Sequence, residues 1–311
     1  MKHAKTLALA VLLSALFVLS ASYYWPVQEA YHPLNTDWNG CSSIYNSSEN
    51  SHLVFDYSQP LSPTSSVLTL IGPSTAFSPS EVRVIEQYLL AGGLVLLADD
   101  FGTGNSLLQG LNASARFSRE PLDDLLFYSR NENFPLIVNF SQSRITANIS
   151  SVVMNHPSFI EINDPNNVEA VAWSSPFSFV DLNNTNRPPP NATIEAFPVV
   201  AYTQIGEGSL VLVSDPGIFA NDLIDLYDNS KLFDDLRAMG NRSVLFDVAH
   251  LVQSPLSVER VRMRLGIDAF RDFLGSSMGA YIQITIAIGV IIAFSLEIAR
   301  RVNKRRILSS R

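Results

Sequence analysis

The apolar residues of this 311-residue chain form two long runs near its ends and many short runs between them. The first long run covers residues 7–22 and the second covers residues 278–298. A transmembrane helix needs about 20 consecutive apolar residues. The second run has this length, and five Arg and Lys residues follow it closely. We therefore predict a transmembrane helix over 278–298 and a basic cytoplasmic tail over 299–311.

The first apolar run leaves two alternatives open. Lysines precede it and small residues close it, as in a cleaved signal peptide. Tyr23, Tyr24 and Trp25 follow it directly, however, and such residues form aromatic belts at membrane interfaces. Residues 1–22 are accordingly predicted to be either a signal anchor or a signal peptide.

Between the long runs, strand patterns alternate with helix patterns. Residues 66–72 and 94–98 are continuous apolar runs, typical of strands buried on both faces. Between them, Ser78 and Glu81 have the spacing of a capping box, and a Gly-Gly pair ends the helix that they begin. Because strand–helix–strand units favour a parallel sheet, we predict an α/β domain with a mostly parallel sheet.

A β-rich insertion is predicted over residues 113–198, where this alternation is lost. Its apolar runs are short and broken by Pro and Asn. The strands predicted inside it lie at residues 136–140, 145–154, 159–162 and 170–173. Further along the chain, Gly206 and Gly208 between two apolar runs indicate a hairpin. A last buried strand is predicted at 244–246, and helices at 230–239 and 256–274.

These elements divide the part of the chain between the two long runs into three segments. An extracytoplasmic neck covers residues 23–52, and the α/β domain covers residues 53–250. An amphipathic juxtamembrane helix is predicted over residues 251–277, leading into the second apolar run.

The distribution of charge predicts how these segments lie relative to a membrane. Residues 23–278 contain 13 Lys/Arg and 28 Asp/Glu, whereas both ends of the chain are basic. By the positive-inside rule, the ends are cytoplasmic and the domain lies outside. The predicted location is thus the cell membrane, with the lipid bilayer as a partner. The acidic surface argues against nucleic acid as a partner.

Seven Asn-x-Ser/Thr triplets agree with this placement as candidate glycosylation sites. They begin at Asn46, Asn112, Asn139, Asn148, Asn183, Asn191 and Asn241. The single cysteine, Cys41, excludes an intrachain disulfide and a cysteine-based metal cluster. It lies in the neck and is predicted to be an inert thiol.

Candidate ligand-binding residues follow the predicted strands. Ligands of open α/β sheets bind outside the carboxyl ends of the strands. The carboxylates expected at this edge either cap the following turns, or bind Mg²⁺ or Ca²⁺ or transfer a proton. The candidate set is Asp99, Asp100, Gly102, Gly104, Asn105, Asp215, Asn221, Asp247 and His250.

Several kinds of chemistry lack their motifs in this chain. The loop around Gly102 and Gly104 suits a tight turn and lacks the fingerprints of dinucleotide and P-loop sites. No Gly-x-Ser-x-Gly elbow is present, and no histidine pair has the spacing of a zinc site. His250 is predicted to be a turn residue rather than a catalytic base. We therefore predict no catalytic residue and no cofactor.

Three segments of the chain carry a resemblance to a known family. They are residues 35–40, 92–105 and 214–221, which have the sequences NTDWNG, GGLVLLADDFGTGN and SDPGIFAN. The chain resembles the membrane-anchored archaeal and bacterial proteins grouped as domain of unknown function 4350, for which no activity is established. The resemblance implies a flavodoxin-like fold similar to class I glutamine amidotransferases, flanked here by N- and C-terminal transmembrane helices. It also implies other membrane proteins and a MoxR-type AAA ATPase as partners.

Glutaminase activity is not implied by this resemblance, because the chain has no cysteine at a strand–helix elbow. The functional prediction is a membrane-anchored, non-catalytic domain. It binds a ligand or partner as an accessory of a transport or envelope-assembly system. Two alternatives stay open: a metal-assisted hydrolase or transferase that uses Asp99, Asp100 and Asp215, and a purely structural envelope protein.

Overall fold

The computed structural model of the protein describes residues 2–48, 50–62, 66–239, 243–286 and 288. The chain divides into two compact units. The first unit is Pro26–Gln253, and the second combines Met1–Trp25 with Ser254–Arg311.

An eight-stranded sheet forms the centre of the first unit. Numbered along the chain and given in spatial order, its strands are β1 (Ser51–Val54), β14 (Ser243–Asp247), β2 (Ser66–Ile71), β3 (Leu94–Ala98), β13 (Gly208–Val213), β12 (Pro198–Ile205), β10 (Glu169–Trp173) and β7 (Asn139–Phe140). The first five of these run parallel to one another. The remaining three are added antiparallel at one edge. The predicted mostly parallel sheet and the hairpin at Gly206 and Gly208 are therefore both confirmed.

Helices of the first unit cover both faces of the sheet, and the second unit also contains helices. The helices are α1 (Lys2–Tyr24), α2 (Ser42–Ser47), α3 (Pro79–Leu90), α4 (Gly104–Gly110), α5 (Asn229–Met239) and α6 (Pro255–Gly275), with a 3-10 helix at Pro216–Phe219. The predicted capping box begins α3, where the backbone N–H of Ser78 donates to Glu81 Oε2 at 2.7 Å. This reciprocal bonding sets the first turn of α3 directly after the loop that follows β2.

The strands β2 and β3 are buried along their whole length, as their continuous apolar sequences predict. Alternate residues point to opposite faces of the sheet. Leu68 and Leu70 pack with Ile85 and Leu89 of α3 on one face. On the other face, the core contains residues of α5 and the neck, and it includes Val67, Leu96, Leu232, Phe233, Cys41 and Ile44. The neck is thus part of the core.

Two strands of the β-rich insertion, β7 and β10, belong to the large sheet, and its other strands form short pairs. The pairs are β4 (Ala115–Phe117) with β9 (Ile160–Ile162), β5 (Leu122–Asp124) with β11 (Ser178–Val180), and β6 (Leu136–Ile137) with β8 (Val152–Val153). The strand predicted over 145–154 is mostly wrong, since only its last part pairs as β8. Before it, Thr146 Oγ1 donates to the carbonyl of Ser141 at 2.6 Å, and this bond favours a turn over an extended strand.

In the second unit, α1 and α6 are joined by polar contacts. The hydroxyl of Tyr23 donates to Asp268 Oδ1 at 2.8 Å and accepts from Arg271 at 3.2 Å. Ser254 caps α6, which begins within one residue of the position that its apolar spacing predicts.

No helix in the described ranges combines the length and the apolar composition needed to cross a membrane. The apolar part of α1, residues 7–22, is about 24 Å long at 1.5 Å per residue, whereas a hydrocarbon core is about 30 Å thick. As far as the described residues extend, this finding contradicts the predicted transmembrane flanks and the signal anchor. It also removes the basis for the predicted membrane location and its extracytoplasmic domain.

Most of the second apolar run cannot be compared with its prediction. Residues 277–286 are helical. Residues 289–298 and the basic tail over 299–311 lie outside the described residues, as does residue 287.

Candidate functional site

Three of the predicted strand-end aspartates lie near one another at the carboxyl edge of the sheet. Asp99 and Asp100 follow β3, and Asp215 follows the neighbouring parallel strand β13. Asp247 ends β14, which is separated from β3 by β2. The structure therefore divides the predicted site into two groups, with Asp247 and His250 forming the second.

Asp99 is bound by the glycine loop that follows it. Its two carboxylate oxygens accept the N–H groups of Gly102 at 3.0 Å and Gly104 at 2.7 Å. A Cβ at Gly104 would lie 2.8 Å from Asp99 Oδ2, so the loop needs glycine for this close approach. Burial raises the pKa of Asp99 against the opposing effect of these hydrogen bonds. The N–H groups of Gly102 and Gly104 thus bind the protein's own carboxylate, that of Asp99, rather than an external anion.

Asp215 caps the 3-10 helix and is fully buried. One carboxylate oxygen accepts the N–H of Gly217, and the other accepts the N–H of Asn155 in the insertion, both at 2.6 Å. Burial and the negative charge of Asp100 raise the pKa of Asp215 well above its usual range. The carboxylate therefore links β13 to the insertion and has no access to solvent.

Asp100 is the most accessible of the three aspartates. It accepts the N–H of Phe101 at 2.5 Å. Burial, together with the nearby charge of Asp99, raises the pKa of Asp100 to about 6. Burial and the charges of Asp215 and Asp100 also raise the pKa of Tyr31, which comes from the neck. A tyrosine of the neck therefore lies close to this group of acids.

The neck covers this edge of the sheet. The ring of Tyr31 lies against Gly72, the residue that follows β2, and a Cβ at Gly72 would be 2.2 Å from that ring. His32, Asn35 and Cys41 of the neck are each 0% exposed. These residues of the neck are thus buried over the strand ends.

Asn221, one of the predicted ligand-binding residues, holds the neck in this position. Its amide nitrogen donates to the carbonyls of Asp37 at 2.7 Å and Asn35 at 3.1 Å. Its amide oxygen accepts the N–H of Ser43 at 2.9 Å, and its own N–H donates to the carbonyl of Gly40 at 2.8 Å. We call these contacts the Asn221 clamp. The side chain of Asn221 is therefore hydrogen-bonded to the protein's own backbone.

Asn105 has a similar structural role. Its side chain donates to the carbonyl of Phe117 and accepts the N–H of the same residue, both at 2.9 Å. It thereby connects α4 to strand β4 of the insertion through two hydrogen bonds with one backbone residue, as a paired strand would.

Asp247 and His250 form the second group, together with two residues that the sequence analysis missed. His250 Nδ1 lies 3.1 Å from both carboxylate oxygens of Asp247, and the Tyr57 hydroxyl donates to Asp247 Oδ1 at 2.9 Å. His250 Nε2 lies 3.6 Å from Glu81 Oε2. The imidazole also stacks on the ring of Phe77, with 3.8 Å between the ring centroids.

The charges of this second group stabilise one another. Burial lowers the pKa of His250, but Asp247 and Glu81 outweigh it, so the net pKa is raised. Burial opposes ionisation of Glu81, yet hydrogen bonds from Ser78 and the nearby His250 hold the pKa of Glu81 below its usual value. The imidazole of His250, placed between the carboxylates of Asp247 and Glu81, therefore connects the end of β14 to the start of α3.

No pattern in the sequence predicts that Tyr57 and Glu81 lie beside Asp247 and His250. Glu81 was recognised as part of a capping box, and Tyr57 follows β1 in a segment without a motif. An open pocket of about 520 Å³ lies beside them, lined in part by Asp56, Glu81 and Arg83. Its lining is polar and carries both signs of charge.

The part of the chain that the structure describes contains no metal centre built from three or more carboxylates. Among the described residues, no group of three or more His, Cys, Asp and Glu side chains is arranged to hold a metal ion. The metal-assisted alternative that used Asp99, Asp100 and Asp215 therefore lacks its ligand set. Cys41 is fully buried, and burial raises the pKa of its thiol.

Six of the seven candidate glycosylation sites are exposed. They are Asn46, Asn112, Asn139, Asn148, Asn183 and Asn191. The side chain of Asn148 donates to Asp235 Oδ1 at 3.0 Å. Asn241 lies outside the described residues.

Residues 33–247 match the family described as Domain of unknown function (DUF4350). The chain belongs to this family. The matched part of this DUF4350 protein begins in the neck, includes the Asn221 clamp and ends at Asp247, so it lies inside the first unit. The predicted family is thus confirmed, whereas membrane anchoring and a glutamine amidotransferase-like fold gain no support.

Several solved structures are similar to the DUF4350 protein at low sequence identity. The N-terminal domain of mmIFT52 is 17% identical, with 56% of this chain and 76% of that one covered and a TM-score of 0.44. A β-galactosidase from Bacillus circulans sp. alkalophilus is 12% identical, with 60% of this chain and 24% of that one covered and a TM-score of 0.37. A ThuA-like protein from Bacteroides uniformis ATCC 8492 is 16% identical, with 56% of this chain and 68% of that one covered and a TM-score of 0.33.

These similarities carry no argument about function. The chain spans about a quarter of the β-galactosidase that it matches. No curated protein sequence matches the chain.

Proposed function

We propose that this DUF4350 protein is a non-catalytic domain that binds another protein. The observation that carries the proposal is the covering of the strand ends by the neck. Ligands of open α/β sheets bind at this edge, but here Tyr31 and the Asn221 clamp occupy it. The two buried carboxylates beneath them, Asp99 and Asp215, are bonded to backbone N–H groups. Substrate turnover at this edge is therefore disfavoured, and binding elsewhere on the domain is favoured.

An exposed apolar surface on the insertion is the proposed binding surface. It consists of Leu126, Phe127, Tyr128 and Phe177, which we call the aromatic patch. Their exposed fractions are 63%, 38%, 39% and 42%, in that order. The rings of Phe127 and Phe177 are stacked, with 6.3 Å between their centroids. Exposed aromatic clusters of this kind are typical anchors of protein interfaces.

The aromatic patch is held rigidly by buried polar groups. Asp124 is fully buried, and its Oδ1 accepts the N–H groups of Leu126 at 2.9 Å and Phe127 at 2.7 Å. Its Oδ2 accepts the hydroxyl of Ser178 at 2.8 Å. Because the turn is fixed before binding, little conformational entropy is lost when a partner docks.

Charge indicates the chemistry of the partner. Residues 26–253 contain 9 Lys/Arg and 25 Asp/Glu. A surface of this sign attracts basic proteins and repels nucleic acid. We therefore propose a partner with a basic surface and apolar side chains that fit the aromatic patch. The family resemblance suggests a MoxR-type AAA ATPase as the first protein to test, with this domain as an accessory of a transport or envelope-assembly system.

The test is a binding measurement on the full-length protein and a Phe127→Ala/Phe177→Ala double variant. Partners are first recovered from extracts of the source organism, and each is then purified and titrated, together with the MoxR-type ATPase. We expect at least one purified partner to bind the double variant about tenfold more weakly or worse, because truncating two interface aromatics costs more than about 1.4 kcal/mol.

Leu90→Ala is the matched control. Leu90 is 51% exposed at the end of α3, outside the aromatic patch, and its truncation should leave affinity unchanged. Both variants should keep the circular dichroism of the wild type. The proposal is wrong if every partner binds the double variant as tightly as it binds the wild type.

A further inference from the structure

Two aspartates of the insertion are buried beside each other. Asp123 lies in β5 and Asp181 directly follows β11, the antiparallel partner of β5. Their exposed fractions are 2% and 1%. Because Asp123 lies opposite Phe179 in the β5–β11 pair, Asp181 is its diagonal neighbour on the same face of the two strands. Two buried carboxyl groups in contact are costly to ionise unless a cation or a proton joins them.

One oxygen of this pair has no hydrogen-bond partner in the described part of the chain. Asp123 Oδ2 is buried and receives no hydrogen bond from any residue in the described ranges. The charged groups that act on the carboxyl group of Asp123 are Asp181 and Glu132, which are both negative. A buried, unsatisfied carboxylate oxygen costs about 1–3 kcal/mol or more. The position of this atom therefore points to a positively charged ligand.

The loop after β11 arranges further oxygen atoms around Asp181. Asp181 Oδ2 accepts the N–H groups of Thr185 and Asn186, both at 2.6 Å. Its Oδ1 has longer contacts, at 3.3 Å, with the N–H of Asn183 and the hydroxyl of Thr185. The Thr185 hydroxyl also lies 3.2 Å from the carbonyl oxygen of Arg187. One hydroxyl and one carbonyl oxygen are thus placed near the less strongly bonded oxygen of Asp181.

We propose that Asp123 and Asp181 bind a calcium ion, with Thr185 Oγ1, the carbonyl of Arg187 and water as further ligands. The potential donors are all oxygen atoms, as hard cations require, and none is the nitrogen or sulfur that zinc prefers. A calcium ion accepts six to eight oxygen ligands in flexible geometry, which a surface loop with two carboxylates can supply. Magnesium demands a near-octahedral arrangement and is less suited to this loop.

The spacing of the loop residues agrees with this choice. Asp181, Asn183, Thr185 and Arg187 alternate along the chain, and calcium loops of the EF-hand type draw their oxygen ligands from alternate positions in the same way. The site needs only two carboxylates, so it is compatible with the absence of larger His, Cys, Asp and Glu groups among the described residues. It is independent of the protein partner proposed above.

The test is calorimetric titration of the full-length protein with CaCl₂ after removal of metals with EDTA. We expect one site with a dissociation constant of about 10 µM to 1 mM, as for sensors and extracellular calcium modules. We also expect a rise in the thermal midpoint with calcium, since the ion binds the folded state. Asp123→Asn should bind calcium at least about tenfold more weakly, because it removes one of two anionic ligands. Its side chain keeps the volume of Asp123 and can donate to Asp181, so this variant folds.

Asp164→Asn is the matched control. Asp164 bonds its own loop in a similar way, with Oδ1 accepting the N–H of Asn166 at 3.0 Å, but it is only partly buried. Its calcium affinity should equal that of the wild type. Three outcomes would overturn the proposal: no heat or thermal shift up to about 10 mM calcium, unchanged affinity in Asp123→Asn, or equal or tighter binding of MgCl₂.

Discussion

At the scale of single residues, the carboxylates of Asp99 and Asp215 each accept two backbone N–H groups where a strand ends. An aspartate after a strand was expected either to cap a turn or to bind a ligand. The structure places both side chains in turns, and their burial leaves no surface for a substrate. The sequence identified these aspartates but did not decide their role, because capping a turn and binding a ligand both require an aspartate at the end of a strand.

His250 provides a pH prediction at the residue scale. Its pKa is raised by Asp247 and Glu81, so the protonated form stabilises the folded state. This stabilisation is complete below the unfolded-state pKa of about 6.5 and is lost as the pH rises through the folded-state pKa. His250→Gln should therefore lose less stability than the wild type as the pH rises above about 6.5. Urea unfolding of both proteins at several pH values measures the difference, and equal slopes would contradict it.

At the scale of elements, local signals predicted α3 and the β12–β13 hairpin well. The capping box of Ser78 and Glu81 acts within one turn of helix, and the hairpin depends on Gly206 and its neighbours. The strands of the insertion were predicted less well. Strands of two or three residues have little intrinsic preference, and their pairing partners elsewhere in the chain decide whether they form.

The Asn221 clamp gives a prediction for one element, the neck. Asn221→Ala removes the side-chain hydrogen bonds to the backbone at residues 35, 37 and 43. We expect a loss of about 1–3 kcal/mol in the free energy of unfolding, because two of the freed backbone groups, at residues 35 and 43, are partly buried. Hydrogen exchange measured by mass spectrometry should show faster exchange in residues 31–43 than in the wild type.

Asn148→Ala serves as the control for this prediction. Asn148 is exposed and makes a side-chain contact with Asp235, so its truncation should leave exchange in the neck unchanged. Equal exchange of the neck in Asn221→Ala and the wild type would show that the clamp does not hold it.

The whole molecule consists of a compact acidic unit, residues 26–253, and a second unit made from the two ends of the chain. The long apolar runs at those ends suggested membrane spans. Crossing a membrane also depends on uninterrupted apolar length, and the helices in the described ranges do not have it. The parallel sheet was predictable because strands buried on both faces have continuous apolar sequences.

A fragment experiment tests the unit boundary and the role of the neck together. We expect residues 26–253 alone to unfold in one cooperative transition, because this unit has its own core. A fragment of residues 51–253 should be less stable by about 3–5 kcal/mol or fail to fold, since it lacks the buried Cys41 and Ile44. Thermal unfolding followed by circular dichroism compares the two, and similar midpoints would contradict the role given to the neck.

The sequence by itself determined the family, the acidic character of the domain, the buried strands and the caps of individual helices. Each of these depends on composition or on residues within about one helical turn of each other. Tertiary structure alone decided that the neck covers the strand ends, that Tyr57 and Glu81 join Asp247 and His250, and that Asp123 meets Asp181. Such contacts join residues far apart in the chain, and they arise from strand order and packing, which a local sequence pattern does not specify.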